Sequence, residues 1–314
     1  MLSSKMLLDL TERAKFKVTG EDRVRFLNGQ LTNDILGLKP GSTRYACALT
    51  AKGKLCADLY VTSTAEALYL DTALVLQSSL LTRLERYMIA DDVLIEDVTD
   101  EFGLLHFLNR NVEEPLKDRE GLERVFASFS KGFPPVFESE SNRFACAGVD
   151  LWFPLSAESS ILETLKEAPL TSDAAENLRI ERGIAAWGNE LSENVIPNEA
   201  DLQDRAISYT KGCYLGQEVI SRIKSIGHVN RHLRGLVPAG DIFPERGDKL
   251  VADAQSMKEV GSITSVGRSR KSSLAIALGF VKRGHDEPGT VLRLSRNNSL
   301  IGFVEVHSLP LDPA

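Results

Sequence analysis

From about residue 235 to the C-terminus the chain breaks into short apolar runs: RGLVPAG, DKLVA, EVGSITSVGRS, LAIALGFV, TVLRLS and LIGFVEVH. Gly, Pro, Asp and Asn separate them. No run is long enough to complete a packed helix, and each is bounded by residues that turn the chain. Several short strands at even spacing must close on one another or stack, so this third of the chain is expected to be a small all-β barrel or sandwich.

The N-terminal part has a different texture. Phe16–Val18 reads as a short strand, and a helix follows through EDRVRFLNGQ, with Val24, Phe26, Leu27 and Leu31 as core contacts. Asn33-Asp34 and Pro40-Gly41 are turn chemistry. RYACALT, KLCADLYVTS and ALYLDTA then read as a β-meander. LVLQSSLLTRLERYMI places Leu76, Leu80, Leu84 and Met88 on one helical face. DVLIEDVT and EFGLLHFL follow as strands and complete an α+β unit near residue 110. Residues 111–142 are richer in charge, Gly and Pro and read as connecting structure around one or two strands. FACAGVDLWFPL is a strand, and SAESSILETLKE a helix with Ser156 as its N-cap. DAAENLRIERGI is a second helix, with Asp173 and Glu176 at capping-box spacing. The polar stretch WGNELSENVIPNEADLQDRAISYT is barely periodic, and its Trp187, Leu191, Ile196 and Pro197 suggest an ordered loop. The expected organisation is α+β: a subdomain over 1–110, a second over 111–235, and a C-terminal β-barrel over 236–314.

Composition limits the function classes. The 314 residues carry 44 acidic and 37 basic side chains, a net charge of −7, which argues against a general nucleic-acid binder. The four cysteines form no CxxC pair and no zinc-ligand spacing, so neither a metal site nor a disulfide framework is expected. The N-terminus lacks a signal-like apolar region, and no stretch approaches the length of a membrane-spanning helix. These features fit a cytoplasmic protein.

The stretch Lys211-Gly-Cys-Tyr-Leu-Gly-Gln-Glu218 stands apart. Two glycines bracket Cys213, and Leu215, Val219 and Ile223 then recur at helical spacing. That pattern predicts a tight turn just before a helix N-terminus, where unpaired N–H groups and the nearby charge of Lys211 favour a thiolate. The alternative, a buried cysteine acting as a small hydrophobe, stays open on spacing alone. Arg179, Glu181 and Arg182 near a helix end offer either a carboxylate for a donor–donor ligand edge or a solvated charged face. Glu190, Glu193, Asn194, Asn198 and Glu199 line a pocket or simply keep their loop soluble. The basic run Arg222, Lys224, His228, Arg231, His232 and Arg234 fits an anion such as a glutamate tail or a phosphate, or one solvated face.

The string KGCYLGQE resembles the signature of the YgfZ family of folate-binding proteins, relatives of the glycine-cleavage T-protein, an aminomethyltransferase. FLNGQLTNDILGLKPG, LTAKGKLCADLYV and RIERGIAAWGNELSENVIPNEADL resemble further segments of that family in the same order. VGSITSVGRS and LAIALGFV resemble the T-protein barrel. The resemblance implies a T-protein-like ring of two α+β subdomains and a C-terminal β-barrel around a channel that binds tetrahydrofolate or a substituted form. It implies that Cys213 is functional with Lys211 as its charged neighbour, and that Glu181 receives the pterin ring. Arg179, Asn33, Asp58, Trp187 and Glu190 are its expected neighbours at the cofactor. Where the T-protein has two adjacent acidic residues, this chain has Ala57-Asp58, one carboxylate fewer. That departure counts against classical aminomethyl transfer, and the role the resemblance implies is support of iron–sulfur cluster assembly or repair, with assembly proteins or cluster-containing client enzymes as partners. A folate-dependent one-carbon (aminomethyl) transferase and a non-catalytic adaptor are the alternatives.

Overall fold

In the computed structural model, which describes residues 5–112, 114, 120–129, 136–240, 242–253, 255 and 257–311, the chain divides into two units. The first comprises Met1–Ala51, Cys56–Thr171 and Arg205–Gln217; the second comprises Lys52–Leu55, Ser172–Asp204 and Glu218–Ala314.

The first unit holds two antiparallel sheets. Its elements in chain order are β1 (Lys5–Asp9), β2 (Ala14–Thr19), α1 (Arg23–Gln30), β3 (Thr43–Leu49), β4 (Leu55–Ser63), β5 (Leu68–Thr72), α2 (Gln77–Arg86), β6 (Leu94–Asp97), β7 (Phe102–Asn109), α3 (Glu120–Phe129), β8 (Phe137–Ser141), β9 (Gly148–Pro154) and α4 (Glu158–Leu165). One sheet has the order β3-β4-β5-β2-β6, and the expected meander is its core. The other has the order β1-β7-β9-β8. Strand β7 pairs with β1 on one side and with β9 on the other, so this sheet draws strands from both sides of the expected 110/111 boundary. That boundary does not separate the two sheets, because β7, just before it, pairs with β9, beyond it.

The helices follow their apolar stripes. Alone, a ten-residue helix such as α2 is marginal in water. Its Leu80 and Leu84, with Leu76 just before it, are buried, and each buried leucine contributes roughly 1.5–3 kcal/mol. Helices α3 and α4 place Leu122, Val125, Ile161 and Leu165 against Leu7, Phe107, Leu151 and Phe153 of the second sheet. Two expected caps are not realised. The N-cap of α4 is Ala157 without a side-chain hydrogen bond, and Ser156 lies in a preceding 3-10 turn.

The second unit begins with α5 (Ser172–Glu181). Asp173 is inside this helix rather than capping it, and Glu176 binds Arg179 one turn on. A buried set within residues 185–202, including Leu191, Val195 and Leu202, confirms an ordered loop there. Helices α6 (Gln203–Ala206) and α7 (Gln217–Ser225) stand at the two ends of the segment that returns to the first unit. The remaining strands are β10 (Arg231–Pro238), β11 (Lys249–Val251), β12 (Glu259–Arg268), β13 (Ala275–Lys282), β14 (Val291–Arg296) and β15 (Ser299–His307). They form a closed barrel of order β10-β13-β12-β11-β14-β15. Its core is aliphatic, with Leu236, Leu250, Val260, Val281, Leu294 and Val304 among the buried residues. The barrel expected from the spacing of short runs is therefore present, and His232 lies in β10, outside any helix.

Candidate functional site

The segment Arg205–Gln217 is laid along the C-terminal end of α1 and the edge of β3. Ser208 N donates to Thr32 O at 3.0 Å, and Leu215 N to Gly29 O at 3.3 Å. The Thr32 hydroxyl donates to Ala206 O at 2.6 Å and accepts from Cys47 N at 2.8 Å. Gly216 closes the segment in a left-handed conformation, φ +88°, where a Cβ would lie 2.6 Å from Thr50 O. No side chain fits that approach, so this glycine sets the course of the motif. Gly212 has no such constraint.

Lys211 is placed differently from the expectation. Its ammonium donates to the carbonyls of Asn28 (2.6 Å), Leu31 (2.7 Å) and Asn33 (2.7 Å). Asn28 lies in the last turn of α1 and Leu31 is its C-cap, where unpaired carbonyls and the helix dipole favour a cation, and Asn33 lies in the loop just beyond. All three ammonium protons are thereby committed, and the Tyr214 ring lies 5.2 Å away. Burial lowers the Lys211 pKa to about 8, with Asp34 opposing the shift. The side chain is thus still mainly charged at pH 7. Lys211 is a staple between two chain segments, and its ammonium is spent on backbone rather than on the thiol.

Cys213 is exposed and free. The turn falls at Leu215–Gly216, and α7 starts only at Gln217, so Cys213 stands before the turn, four positions ahead of the helix. The buried residue of α7 is Ile220; Val219 and Ile223, expected to carry its apolar face, are half-buried.

Asp58 lies on β4, 8% exposed. Its Oδ2 accepts from the Tyr45 hydroxyl at 3.0 Å, while Oδ1 is buried without a hydrogen-bond partner among the described residues. Burial pushes the Asp58 carboxyl above its ordinary value, against the lowering charge of Arg13. Burial, and then the charge of Asp58, push the Tyr45 hydroxyl well up, so it remains a donor. Tyr45 stacks near Tyr60, ring centroids 4.6 Å apart, and the Arg205 guanidinium lies 5.4 Å from the Tyr45 ring. Asn33 joins this neighbourhood through backbone: its amide donates to Tyr45 O at 2.8 Å and Arg205 O at 3.1 Å, and its Oδ1 accepts from Asp34 N. The amide of Asn33 therefore holds the loop rather than offering donors to a ligand.

Beneath these groups the two sheets of the first unit are tied by an ionic cluster that sequence reasoning missed. Arg143 grips Asp71 with bonds of 2.9 and 2.7 Å and Asp150 with bonds of 2.8 to 3.0 Å. His106 Nδ1 bonds Asp150 at 2.7 Å, and Arg13 also pairs with Asp71. Burial works against the charge of Asp150, yet Arg143 and His106 hold its carboxyl far below the usual range. Burial holds the His106 pKa down despite Asp150. Arg143 lies 4.1 Å over the Tyr60 ring, so the cluster supports the aromatic pair beside Asp58.

The remaining expected residues belong to the second unit. Glu181, 4% exposed, ends α5. Its Oε2 accepts from Arg270 Nε at 2.6 Å, and its Oε1 from Ser269 Oγ and Arg270 N, both at 3.3 Å. A donor–donor ligand edge would have to share or displace Arg270. Glu190, 1% exposed, accepts from Thr264 Oγ1 (2.7 Å), Ser265 Oγ (2.6 Å), Ala186 N (3.0 Å) and Arg179 Nη1 (3.0 Å). Arg179 also bonds Glu176, Ile184 O and Ser265 Oγ. Burial opposes its charge, but Glu176 and Glu190 carry its pKa upward. Arg179 and Glu190 thus pin the loop after α5 to β12, with their polar atoms taken up by that task. Trp187 is half-buried and bridges to Leu191. Tyr45, Arg205 and Arg270 had no sequence signal, because Arg205 and Arg270 act on partners far along the chain and Tyr45 reads as one more buried residue of its strand.

The chain matches two family descriptions: the GCVT N-terminal domain over residues 2–108, and the glycine cleavage T-protein C-terminal barrel domain over residues 231–311. It is 30% identical over 253 residues to the tRNA-modifying protein YgfZ of Pectobacterium atrosepticum, covering 78% of this chain and 74% of the relative. It is 25% identical over 305 residues to an aminomethyltransferase of Streptomyces avermitilis, covering 90% and 80%. The fold is similar to that of the glycine cleavage system aminomethyltransferase T of Bartonella henselae, with a TM-score of 0.82 at 20% identity, covering 98% of this chain and 86% of that one.

Proposed function

This chain belongs to the YgfZ-like family of glycine-cleavage T-protein relatives, and from that premise we propose that it binds tetrahydrofolate, or a substituted form, and supports assembly or repair of iron–sulfur clusters in client enzymes. The observation that carries the folate half is Asp58. A buried carboxyl with one oxygen unpaired is costly unless something meets it. A pterin or amide N–H supplies the missing donor, and a carboxyl with a raised pKa also offers its own proton to a ring nitrogen. Bound folate supplies nitrogen atoms that carry one-carbon units. Tyr45 orients Asp58 through Oδ2, leaving Oδ1 to hold or release a proton. Glu181, which the resemblance implies for the pterin, is a separate candidate in the second unit, with Arg270 as its present partner.

The cluster half rests on the family and on Cys213, whose exposed free thiol suits contact with a partner. Clusters generally take four protein ligands. Ligation through Cys213 is therefore shared with a client or an assembly protein. Free cysteines fit a reducing cytoplasm. Among the described residues, no helix is long and apolar enough to cross a membrane. The name of the Pectobacterium relative ties that protein to tRNA modification, which makes cluster-dependent tRNA-modifying enzymes the first clients to assay. In cells lacking this chain, wild type should restore their activity and Cys213→Ser should not. Full restoration by Cys213→Ser would remove the thiol from the account.

A second reading, aminomethyl transfer, is favoured by one observation: Asp58 has the burial and raised pKa of a general acid or base. Release of ammonia with formation of methylenetetrahydrofolate from an aminomethyl donor would establish it. An adaptor without folate use is the third reading, and it should tolerate both Asp58→Asn and Glu181→Ala.

A further inference from the structure

Where β10 begins and β13 ends, the barrel carries a cleft of about 730 Å³ that the folate reading leaves unused. His228, His232, Lys282, Arg283, Asp286 and Glu287 are among its lining residues. Asp286 is the keystone. It is 4% exposed and accepts from His232 Nδ1 (2.6 Å), Gly284 N (2.9 Å) and Arg234 Nη2 (3.4 Å), while its carbonyl accepts from Arg234 Nε (2.9 Å). One buried carboxylate thus fixes the loop after β13 and the ring of His232, whose Nε2 is left over. The basic groups around it are not neutralised to the same extent. Among the described residues no hydrogen bond or ion pair reaches the side chains of His228 or Arg283, and Lys282 Nζ donates to a carbonyl, Glu259 O, at 2.9 Å. In a chain of net charge −7, Arg283 and His228 without side-chain partners among the described residues, beside a lysine bonded only to a carbonyl, stand out in one concavity.

We propose that this cleft binds a compact oxyanion of the phosphate or polycarboxylate kind. The Arg283 guanidinium offers paired donors matched to two oxygens of such a group, and Lys282 adds a point charge. Glu287 on the rim opposes a long polyanionic backbone and limits the ligand to a small group. The contacts are exposed, so the affinity falls as salt rises.

The test titrates full-length protein with inorganic pyrophosphate in one arm and citrate in the other, by calorimetry at low ionic strength. One saturable site is expected for at least one probe, and the preferred probe identifies phosphate or carboxylate as the natural group. The double variant Arg283→Gln/His228→Gln should weaken that binding at least tenfold while leaving the melting temperature and tetrahydrofolate affinity unchanged. Absence of saturable binding below millimolar concentration, or equal affinity in the double variant, would overturn the proposal. So would loss of folate binding in the double variant, which would make the cleft part of the folate site.

Discussion

Replacing Lys211 with methionine separates two accounts of the most distinctive motif in the chain. If Lys211 staples the motif to α1, the variant loses three bonds from a cation to the carbonyls of Asn28, Leu31 and Asn33. Such bonds are worth about 1.5–3 kcal/mol each when well shielded. Lys211 is half-buried, so the lower end applies, about 4 kcal/mol for the three together. Solvent screening at this half-buried site discounts the sum further, to roughly half. The net loss is about 2 kcal/mol, a fall of about 4–8 °C in melting temperature. Calorimetric unfolding measures it, and the alkylation rate of Cys213 at fixed pH gives the second readout. The staple predicts a lower melting temperature, with the thiol reacting at its wild-type rate in the folded protein. An unchanged melting temperature together with a slowed thiol would refute the reasoning and return Lys211 to the role of activating charge.

Three further outcomes are expected. Asp150→Asn leaves the buried cluster one carboxylate short, with Arg143 paired to Asp71 alone, and should destabilise the first unit by about 3 kcal/mol; a change below about 1 kcal/mol in urea unfolding would contradict the cluster's role. Gly216→Ala forces a side chain into φ +88° against Thr50 O and should cost about 2 kcal/mol or more, seen as a lower melting temperature. The Asp58 carboxyl has a higher pKa folded than unfolded, so the folded chain holds the extra proton between the two values. Stability is then lost as pH rises from the unfolded value through the folded one, and above that window Asp58 is a standing penalty. Asp58→Asn should therefore remove that penalty while abolishing folate binding, and its stability should fall less than that of wild type as pH rises above the unfolded carboxylate value.

The sequence made some of this legible and hid the rest for physical reasons. Period-two runs and turn residues announced β3, β4 and β5, and the even spacing of short runs announced the barrel, because both signals are local. The pairing of β1 with β7 was invisible, since a strand's partner is chosen by packing across the fold. The ionic cluster was hidden for the same reason: Arg143 reaches one carboxylate 7 residues away and another 72 residues away. Glu190 stood out as a polar loop residue, but its hydroxyl partner Ser265 lies 75 positions on, and that contact makes it a brace. Lys211 and Cys213 were noticed together because they are neighbours in sequence. The structure separates their tasks, because a long flexible side chain can reach carbonyls more than 170 residues earlier in the chain. Asp58 was found through its place in the resemblance, and the unpaired Oδ1 is a fact of packing that no spacing could reveal.

The central claim, folate binding, is tested most directly by anaerobic calorimetry of tetrahydrofolate with wild type, Asp58→Asn and Glu181→Ala, each first verified as folded. Saturable binding by wild type, lost or weakened in Asp58→Asn or in Glu181→Ala, is the predicted result. Absence of binding by folded wild type, or equal affinity in all three proteins, would contradict the account and leave the adaptor reading in its place.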